Sequence, residues 1–344
     1  MVVNQSGEKR VLTVLGPVPA ENLGVVQTHE FLLHIMPGAE YAPEFNLDEN
    51  EQFEVLKQAL TEYRRLGGGA IVDRGGMFRG RNVLMYRTLS EETNVHIIGS
   101  TGLGPGHMVG SYFTTGQKNP PGPLPLEEFA DLFAKEITDG IVVPRRERSG
   151  PAGIICSEAN PNGITELEKH LYRAAARAAL RTGTSVSIQA GKDPLEELDI
   201  LEGEGLDASR VIVGGLDRLD ADQREMAAAI AKRGAMVALD HVGYSPHEGY
   251  VNDELRAARI VELFDAGFGE QVLISSNASG FAIGHDERPK LGFTHILESF
   301  VPMLRKAGIQ DEQIDQILKS NPQRVLTLKE AAANKQDVRE TVKE

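Results

Sequence analysis

Eight short apolar runs alternate with segments of helical spacing along most of this 344-residue chain. The runs cover residues 24–29, 70–73, 95–99, 152–156, 185–189, 211–214, 236–240 and 271–277. Between them, apolar residues recur at the three- and four-residue spacing of amphipathic helices. Alternation of this kind is typical of a (β/α)8 TIM barrel, an α/β fold in which eight parallel strands form a closed sheet. The sequence therefore predicts that fold.

A doubly wound open sheet is the alternative architecture. It commonly carries a Gly-x-Gly-x-x-Gly motif at the start of its first helix, and the absence of that motif here favours the barrel. No repeat or linker divides the sequence, so residues 1–330 are predicted to form one barrel domain with a short β lead-in at 10–15. Residues 331–344 are strongly charged and are expected to fray.

The composition limits the classes of partner. A net charge of −14 and a pI near 5.2 disfavour nucleic acid and anionic membranes and suit a protein that binds small molecules. One cysteine excludes an internal disulfide and a thiolate zinc cluster. The first ten residues lack the apolar segment of a secretion signal, and no run approaches the ~18 apolar residues of a membrane helix. We therefore expect a cytoplasmic protein.

Polar residues stand where the predicted strands end. In a (β/α)8 barrel the reacting groups come from these carboxyl ends, whatever the chemistry. The strand ends carry His29, Glu30, Asp73, Arg74, Thr101, Cys156, Glu158, Gln189, Lys192, Gly215, Asp217, Asp240, His241, Ser276 and Asn277. Residues 102–125 form a Gly/Pro-rich segment that is long enough to be a lid or a binding loop.

Several short motifs resemble the phosphotriesterase-related family of the amidohydrolase superfamily. Thr-His-Glu at 28–30 is similar to the family's Thr-His-Glu-His, and Val-Gly-Gly-Leu-Asp at 213–217 is similar to its Ile-Gly-His-x-Asp. Further matches lie at 69–73, 80–81, 100–102, 152–155, 239–242, 292–295 and 321–324. The resemblance spans roughly residues 10–328. It implies an amidohydrolase-type barrel, hydrolytic chemistry at a pair of metal ions and, as in many relatives, a homodimer.

Most of the metal ligands that this resemblance implies are absent. Of six ligand positions, only His29 keeps the family's residue. Three histidines, a bridging carboxylated lysine and an aspartate are replaced by Phe31, Gln189, Gly215, Cys156 and Asn277. A dinuclear site needs an anionic bridge and several imidazoles to hold two cations close together. We therefore predict no metal site and no other cofactor.

The candidate catalytic residues are His29, Asp217, Asp240, His241 and Cys156. Histidines titrate in the range that suits acid–base catalysis, but His29 and the Asp240–His241 pair also suit a purely structural role. Asp217 is expected to orient Arg218 or a water molecule. Cys156 is either a nucleophile with His29 or His241 beside it, or a small buried residue.

Substrate binding is assigned to Arg74, Gln189, Lys192 and Asn277, with the two cations holding an anionic group. Three functions remain open. The first is metal-independent hydrolysis of a lactone or ester-type small molecule. The second is a lyase or isomerase reaction on a carbonyl compound, with His29 or His241 as base and Lys192 as electrophile. The third is ligand binding without catalysis. The polar groups expected around one cavity favour the first.

Overall fold

Eight consecutive parallel strands form the centre of the molecule, which we analysed as a computed structural model. The structure describes residues 9–42, 45, 48–115, 119–144, 147–219, 223–284 and 290–331. The strands are β1 (Arg10–Thr13), β2 (Gly16–Pro19), β3 (Val25–Ile35), β4 (Gly68–Asp73), β5 (His96–Thr101), β6 (Ile154–Glu158), β7 (Ser185–Gln189), β8 (Val211–Gly214), β9 (Met236–Leu239), β10 (Val272–Ile274) and β11 (Ser279–Ile283). Strands β3 to β10 pair in chain order, each parallel to the next. This order is the one that the sequence predicted.

The sheet curls until β10 meets β3. The Asn277 main-chain N–H donates to the His29 carbonyl over 3.2 Å, and the Thr28 N–H donates to Ser275 Oγ over 2.8 Å. Strand β11 then pairs in parallel with the second half of β3, from Phe31 to Ile35. The predictions that the first strand ends at His29 and that the strand at 271–277 is the last one were therefore wrong. The pairing of Phe31–Ile35 with a segment about 250 residues away extends β3.

Helices cover the outside of the sheet. They are α1 (Glu49–Arg65), α2 (Val83–Thr93), α3 (Ser111–Thr114), α4 (Leu126–Thr138), α5 (Glu166–Thr182), α6 (Pro194–Gly203), α7 (Gln223–Lys232), α8 (Asp253–Asp265), α9 (Val301–Lys306), α10 (Asp311–Asp315) and α11 (Asn321–Leu326). Their starts follow from capping: Asp48 accepts main-chain N–H groups at the start of α1, and Thr165 forms a capping box with Glu168 at the start of α5. Residues Ile296–Phe300 and Gln316–Ser320 wind as π-helix.

Two apolar layers fix which end of the sheet carries the polar residues. Inside the curl, Val72, Ile98, Ile154 and Leu273 pack together, and the β1–β2 hairpin and Val325 of α11 join this cluster. Outside the curl, alternate strand residues pack on the helices. The interior is therefore filled with apolar side chains towards the N-terminal ends of the strands, and the polar residues gather at the carboxyl ends.

The structure describes only parts of the long segment at 102–125 and of the C-terminal tail. The long segment after β5 holds a 3-10 turn, Gly106–Met108, whose Gly106 N–H donates to Glu168 over 2.8 Å, and helix α3; residues 116–118 lie outside the described part. Most of the predicted tail, 332–344, also lies outside it, and the single-domain assignment stays a prediction. None of the described helices is long and apolar enough to cross a membrane.

A buried ion pair fastens α4 to the sheet. Arg81 and Glu136 meet through two 2.8 Å hydrogen bonds, with side chains 4% and 0% exposed. Arg81 Nη1 also donates to the Ser100 carbonyl of β5 over 2.7 Å, and the Val142 N–H donates to Glu136 over 3.0 Å. Removing one partner leaves a desolvated charge without its counterion, so the pair is costly to break.

We expect Glu136→Ala to lower the free energy of unfolding by about 3–5 kcal/mol, because it leaves Arg81 charged and unpaired. Urea titration measures this change. The matched control is Glu62→Ala, which removes the exposed pair with Arg65 and is expected to cost at most about 1 kcal/mol. An equal loss of unfolding free energy in the two variants would contradict the conclusion that the Arg81–Glu136 pair is costly to break.

Candidate active site

The His29 imidazole and the Asp240 carboxylate are in direct contact at the carboxyl end of the sheet. His29 lies in β3, and Asp240 is the first residue after β9. His29 Nδ1 hydrogen-bonds Asp240 Oδ2, and the Gly215 N–H donates to Asp240 Oδ1 over 2.9 Å. Asp240 is 0% exposed and His29 is 4% exposed. A carboxylate on one ring nitrogen fixes both the orientation and the tautomer of the imidazole.

The contact continues into a buried chain of alternating charges. His241 Nδ1 lies 3.0 Å from Asp240 Oδ1 and 3.0 Å from Asp217 Oδ1. Asp217 Oδ2 accepts the His241 main-chain N–H over 3.0 Å and Arg256 Nε over 2.8 Å. Asp217 binds Arg256, and Arg218 donates to the Ala190 carbonyl over 3.1 Å. That Asp217 also orients Arg218 or a water molecule stays a prediction.

The pKa shifts along this chain are consistent with a neutral His29 beside an anionic Asp240. Burial lowers the pKa of His29 to about 4, with the nearby Arg74 charge in the same direction and Asp240 opposing both. Burial alone would raise the pKa of Asp240, but His29 and His241 outweigh it and hold that pKa well below the ordinary value. Burial also opposes the charged form of His241, yet Asp217 and Asp240 raise its pKa. Neutral His29 beside anionic Asp240 therefore carries its proton on Nδ1 and its lone pair on Nε2.

The Gln189 carboxamide packs beside this pair. A Cβ on Gly215, which has φ +76°, would lie 2.7 Å from Gln189 Nε2, and a Cβ on Gly214 would collide with Asp240 and Gln189. The two glycines are thus needed because the amide and the carboxylate occupy the space above them. Gln189 Oε1 is buried with no protein partner among the described residues. Gln189, predicted to bind substrate, is placed next to the predicted catalytic residues.

The other predicted residues are spread more widely. Asn277 donates its main-chain N–H to the His29 carbonyl and has the left-handed φ of 47°, which asparagine tolerates better than most residues. Lys192 is exposed in the loop between β7 and α6, and it is not among the residues that line the cavity described below. Their predicted roles in substrate binding stay predictions.

A narrow cavity lies beside the chain of charges. Its lining includes Arg74, Arg79, Cys156 and Glu158, together with the glycine-rich loop that follows β4. Arg79 Nη2 pairs with Glu158 over 2.6 Å, and its guanidinium lies 5.6 Å from the centre of the Phe31 ring. The Arg74 main-chain N–H donates to the carbonyl of Glu30, the residue after His29, over 2.9 Å, so the cavity lies close to the His29–Asp240 pair.

Two arginines of this site were not singled out from the sequence. Arg79 gave no local signal, because its partners Glu158 and Phe31 come from other strands. Arg256 did give one: it shares the buried face of α8 with Ile260 and Leu263, at helical spacing. A charged residue in an apolar stripe is informative because arginine is rarely buried without a partner.

The positions of the family's metal ligands do not form a cradle for two cations. Phe31 stacks on His34, with ring centroids 4.0 Å apart. The Gln189 amide fills the space into which a side chain at position 215 would extend. The Arg74 guanidinium donates to Ser157 of β6 and Ser187 of β7, the strands that carry the lysine and histidine positions of the resemblance. A fixed cation and an uncharged thiol do not suit a pair of divalent ions, so these residues do not fit the group.

A second group of residues with possible metal-ligand atoms is also unsuitable for holding a metal ion. Asp217, Asp240 and His241 bring possible ligand atoms within 4.8 Å of one another. Their acceptor atoms already receive Arg256 Nε, His29 Nδ1 and two main-chain N–H groups. A metal ion would have to displace these hydrogen bonds, and Arg256 would then be buried without its carboxylate.

Cys156 is a buried thiol in this site. Burial raises its pKa to about 11, and the groups that act on that pKa most strongly beyond burial are Arg74, Ser100, Asp73 and Arg79. Neither His29 nor His241 is among them, so the alternative of a histidine-activated nucleophile gains no support.

We expect iodoacetamide at pH 7.5 to alkylate Cys156 about 100-fold more slowly in the folded protein than in urea, since the raised pKa leaves about 100-fold less thiolate. Mass spectrometry of quenched samples measures the rate, and the urea-unfolded chain is the control. Labelling that is as fast in the folded protein would show a thiolate at neutral pH.

Known proteins resemble this chain along nearly its whole length. The model of the Phosphotriesterase family matches residues 9–326. N-acetyltaurine hydrolase of Danio rerio is 28% identical over 368 aligned positions, covering 93% of this chain and 98% of that protein. A mutant of a PTE-like lactonase from Deinococcus radiodurans superposes with a TM-score of 0.81 at 23% identity, covering 92% of this chain and 99% of that chain. The phosphotriesterase from Mycobacterium tuberculosis does so with a TM-score of 0.78 at 24% identity, covering 92% and 98%. The chain belongs to the phosphotriesterase family.

Proposed function

We propose that this chain is a hydrolase that cleaves a carboxylic ester, lactone or amide by general-base catalysis, without the metal pair of its family, on an amidohydrolase-type (β/α)8 barrel. The observation that carries the proposal is the contact between Asp240 Oδ2 and His29 Nδ1. It leaves the Nε2 lone pair of a neutral imidazole as a base, the arrangement by which a buried carboxylate supports a histidine in hydrolases.

In the proposed reaction, His29 Nε2 removes a proton from water as the water oxygen attacks the substrate carbonyl carbon. The imidazolium that forms is stabilised by Asp240, whose charge is held in place by the Gly215 N–H. The tetrahedral oxyanion needs a donor, and we assign this role to the Gln189 side-chain N–H group, which lies next to Gly215. When the carbon–heteroatom bond breaks, the proton on His29 passes to the leaving oxygen or nitrogen.

The bond that is cleaved has two candidate types, an ester or lactone bond and an amide bond. The sequence predicted a lactone or ester, whose alcohol leaving group departs without strong assistance. The name of the relatives, N-acetyltaurine hydrolase, favours an N-acyl amide, whose amine must be protonated as it leaves. Because His29 carries the transferred proton, the same pair serves both reactions. Turnover of matched ester and amide substrates with a common acyl group decides between them.

The lyase and ligand-binding alternatives make different demands. A lyase or isomerase with Lys192 as electrophile needs that amine near the base, and Lys192 is exposed in the loop before α6. A pure binding protein needs no polarised base, whereas the His29–Asp240 contact and the charges behind it supply one. A ligand that stabilises the protein against heat and is recovered unchanged would favour the binding protein.

We expect Asp240→Asn and His29→Ala each to lower kcat/KM by about 100- to 10,000-fold, because each removes the oriented base.

Activity of the unmodified protein is expected to stay level from pH 9 down to about pH 5.5 and to fall as pH approaches about 4, where His29, facing Asp240, Arg74 and His241, becomes protonated. Initial rates across pH measure both effects.

The control for these variants is Glu62→Gln on the exposed face of α1, which should leave the rate unchanged. Thermal unfolding checks that each variant is folded. An inflection near pH 6.5, the ordinary value for histidine, would contradict the buried base, and full activity in His29→Ala would end the proposal.

We expect turnover to survive dialysis against a chelator, because the assigned groups are all side chains of this chain. Elemental analysis of protein purified with added zinc should find well under two zinc ions per chain. The phosphotriesterase family offers metal-dependent members as positive controls for the chelator. Loss of activity on chelation, with recovery on adding zinc, would refute metal independence while leaving the family assignment intact.

A further inference from the structure

Arg74 is a buried cation that faces the cavity. Its side chain follows β4 into the interior of the curled sheet, and the residue is 4% exposed. Nε donates to Ser187 Oγ over 3.2 Å, and Nη2 donates to the Ser157 carbonyl over 2.9 Å. Nη2 also donates to the Ser187 carbonyl over 3.5 Å. All three acceptors are uncharged. Among the described residues, no carboxylate forms an ion pair with Arg74, and Nη1 has no hydrogen-bond acceptor.

The other buried arginines of the described chain are satisfied differently. Arg256 binds the carboxylates of Asp217 and Asp253. Arg210 donates to three main-chain carbonyls, those of Val325, Thr327 and Gly183, and Asp207 acts on its charge. A desolvated guanidinium is expensive unless a counterion or a full set of acceptors compensates it. Arg74 donates three hydrogen bonds, as Arg210 does, but among the described residues it has no carboxylate partner and no acceptor for Nη1. It is also the one of the three that lines the cavity.

The rest of the cavity lining sets the charge of a matching ligand. Arg79 and Glu158 neutralise each other across 2.6 Å, so the lining carries an excess of one positive charge, that of Arg74. Met77, Phe78 and Leu103 supply apolar surface around it. The cavity volume is only about 20 Å³. One uncompensated guanidinium with apolar walls in so small a space suits a single anionic group at the end of a ligand.

We propose that Arg74 anchors an anion subsite, which binds a carboxylate or sulfonate carried by the substrate at the end remote from the cleaved bond. This inference rests on the proposed hydrolase function, because it treats the bound anion as part of a substrate. Binding of the anion itself does not require turnover. The anion completes the hydrogen bonds of Nη1 and supplies the counterion that the protein lacks there. The substrate class is then an N-acyl or O-acyl compound with an anionic tail.

The test measures binding of acetate and of methanesulfonate by calorimetry, at constant ionic strength set with chloride. Acetamide, the neutral counterpart of acetate with nearly the same shape, is the comparison ligand. We expect saturable binding of one or both anions, no binding of acetamide, and a Kd at least about 30-fold higher in Arg74→Gln. Arg74→Lys, which keeps the charge but not the planar fork, is expected to fall between the two.

The matched control is Arg65→Gln, which makes the same change in net charge on the exposed face of α1 and should leave anion binding unchanged. Equal binding of acetate and acetamide to the unmodified protein would overturn the proposal without any variant. So would equal anion binding by the unmodified protein and by folded Arg74→Gln. If Arg74→Gln does not fold, Arg74→Lys and the acetamide comparison decide the matter.

The two proposals fail separately. His29→Ala is expected to lose turnover and to keep anion binding, since His29 does not line the cavity. Anion binding that depends on Arg74, in a protein that hydrolyses no ester or amide with an anionic tail, would uphold the subsite and reject the hydrolase. Equal turnover of anionic and neutral substrates, without anion binding, would uphold the hydrolase and reject the anion subsite.

Discussion

The Asp240 carboxylate is the interaction on which the site depends. Its two oxygens are shared by the His29 ring, the His241 ring and the Gly215 main-chain N–H. These contacts come from within β3 and from the residues that follow β8 and β9, so one charge joins the three strands. A buried carboxylate is stable only when it is surrounded by donors in this way. The identity of the neighbouring residues follows from that requirement.

Charge distinguishes the interior of this chain from a dinuclear metal centre. A dinuclear centre brings positive charge into the sheet and needs anionic ligands around it. Here the buried cations include Arg74 and Arg256, and the buried carboxylates include Asp217 and Asp240. Arg256 is paired with Asp217, whereas Arg74 forms no ion pair among the described residues. Under the proposed function, proton transfer and ion pairing take the place of Lewis-acid activation.

Much of the fold could be predicted from local pattern. The eight apolar runs became β3 to β10, with ends displaced by at most three residues except at the end of β3. That exception depends on β11, whose pairing with β3 is a long-range contact that no local spacing reveals. The same limit applies to the site. His29, Asp240, His241 and Asp217 were singled out because strand ends converge, whereas the sequence could not show that Asp217 binds Arg256 of α8.

The glycine at position 215 has a consequence for the ligand positions of the family. A side chain there would take the left-handed φ of +76° and would meet the flexible end of Gln189, so an imidazole requires the Gln189 amide to move. Position 277 is different, because aspartate tolerates the same left-handed backbone as Asn277. An aspartate is therefore sterically open at 277 without any other change, whereas a histidine at 215 is coupled to the conformation of residue 189.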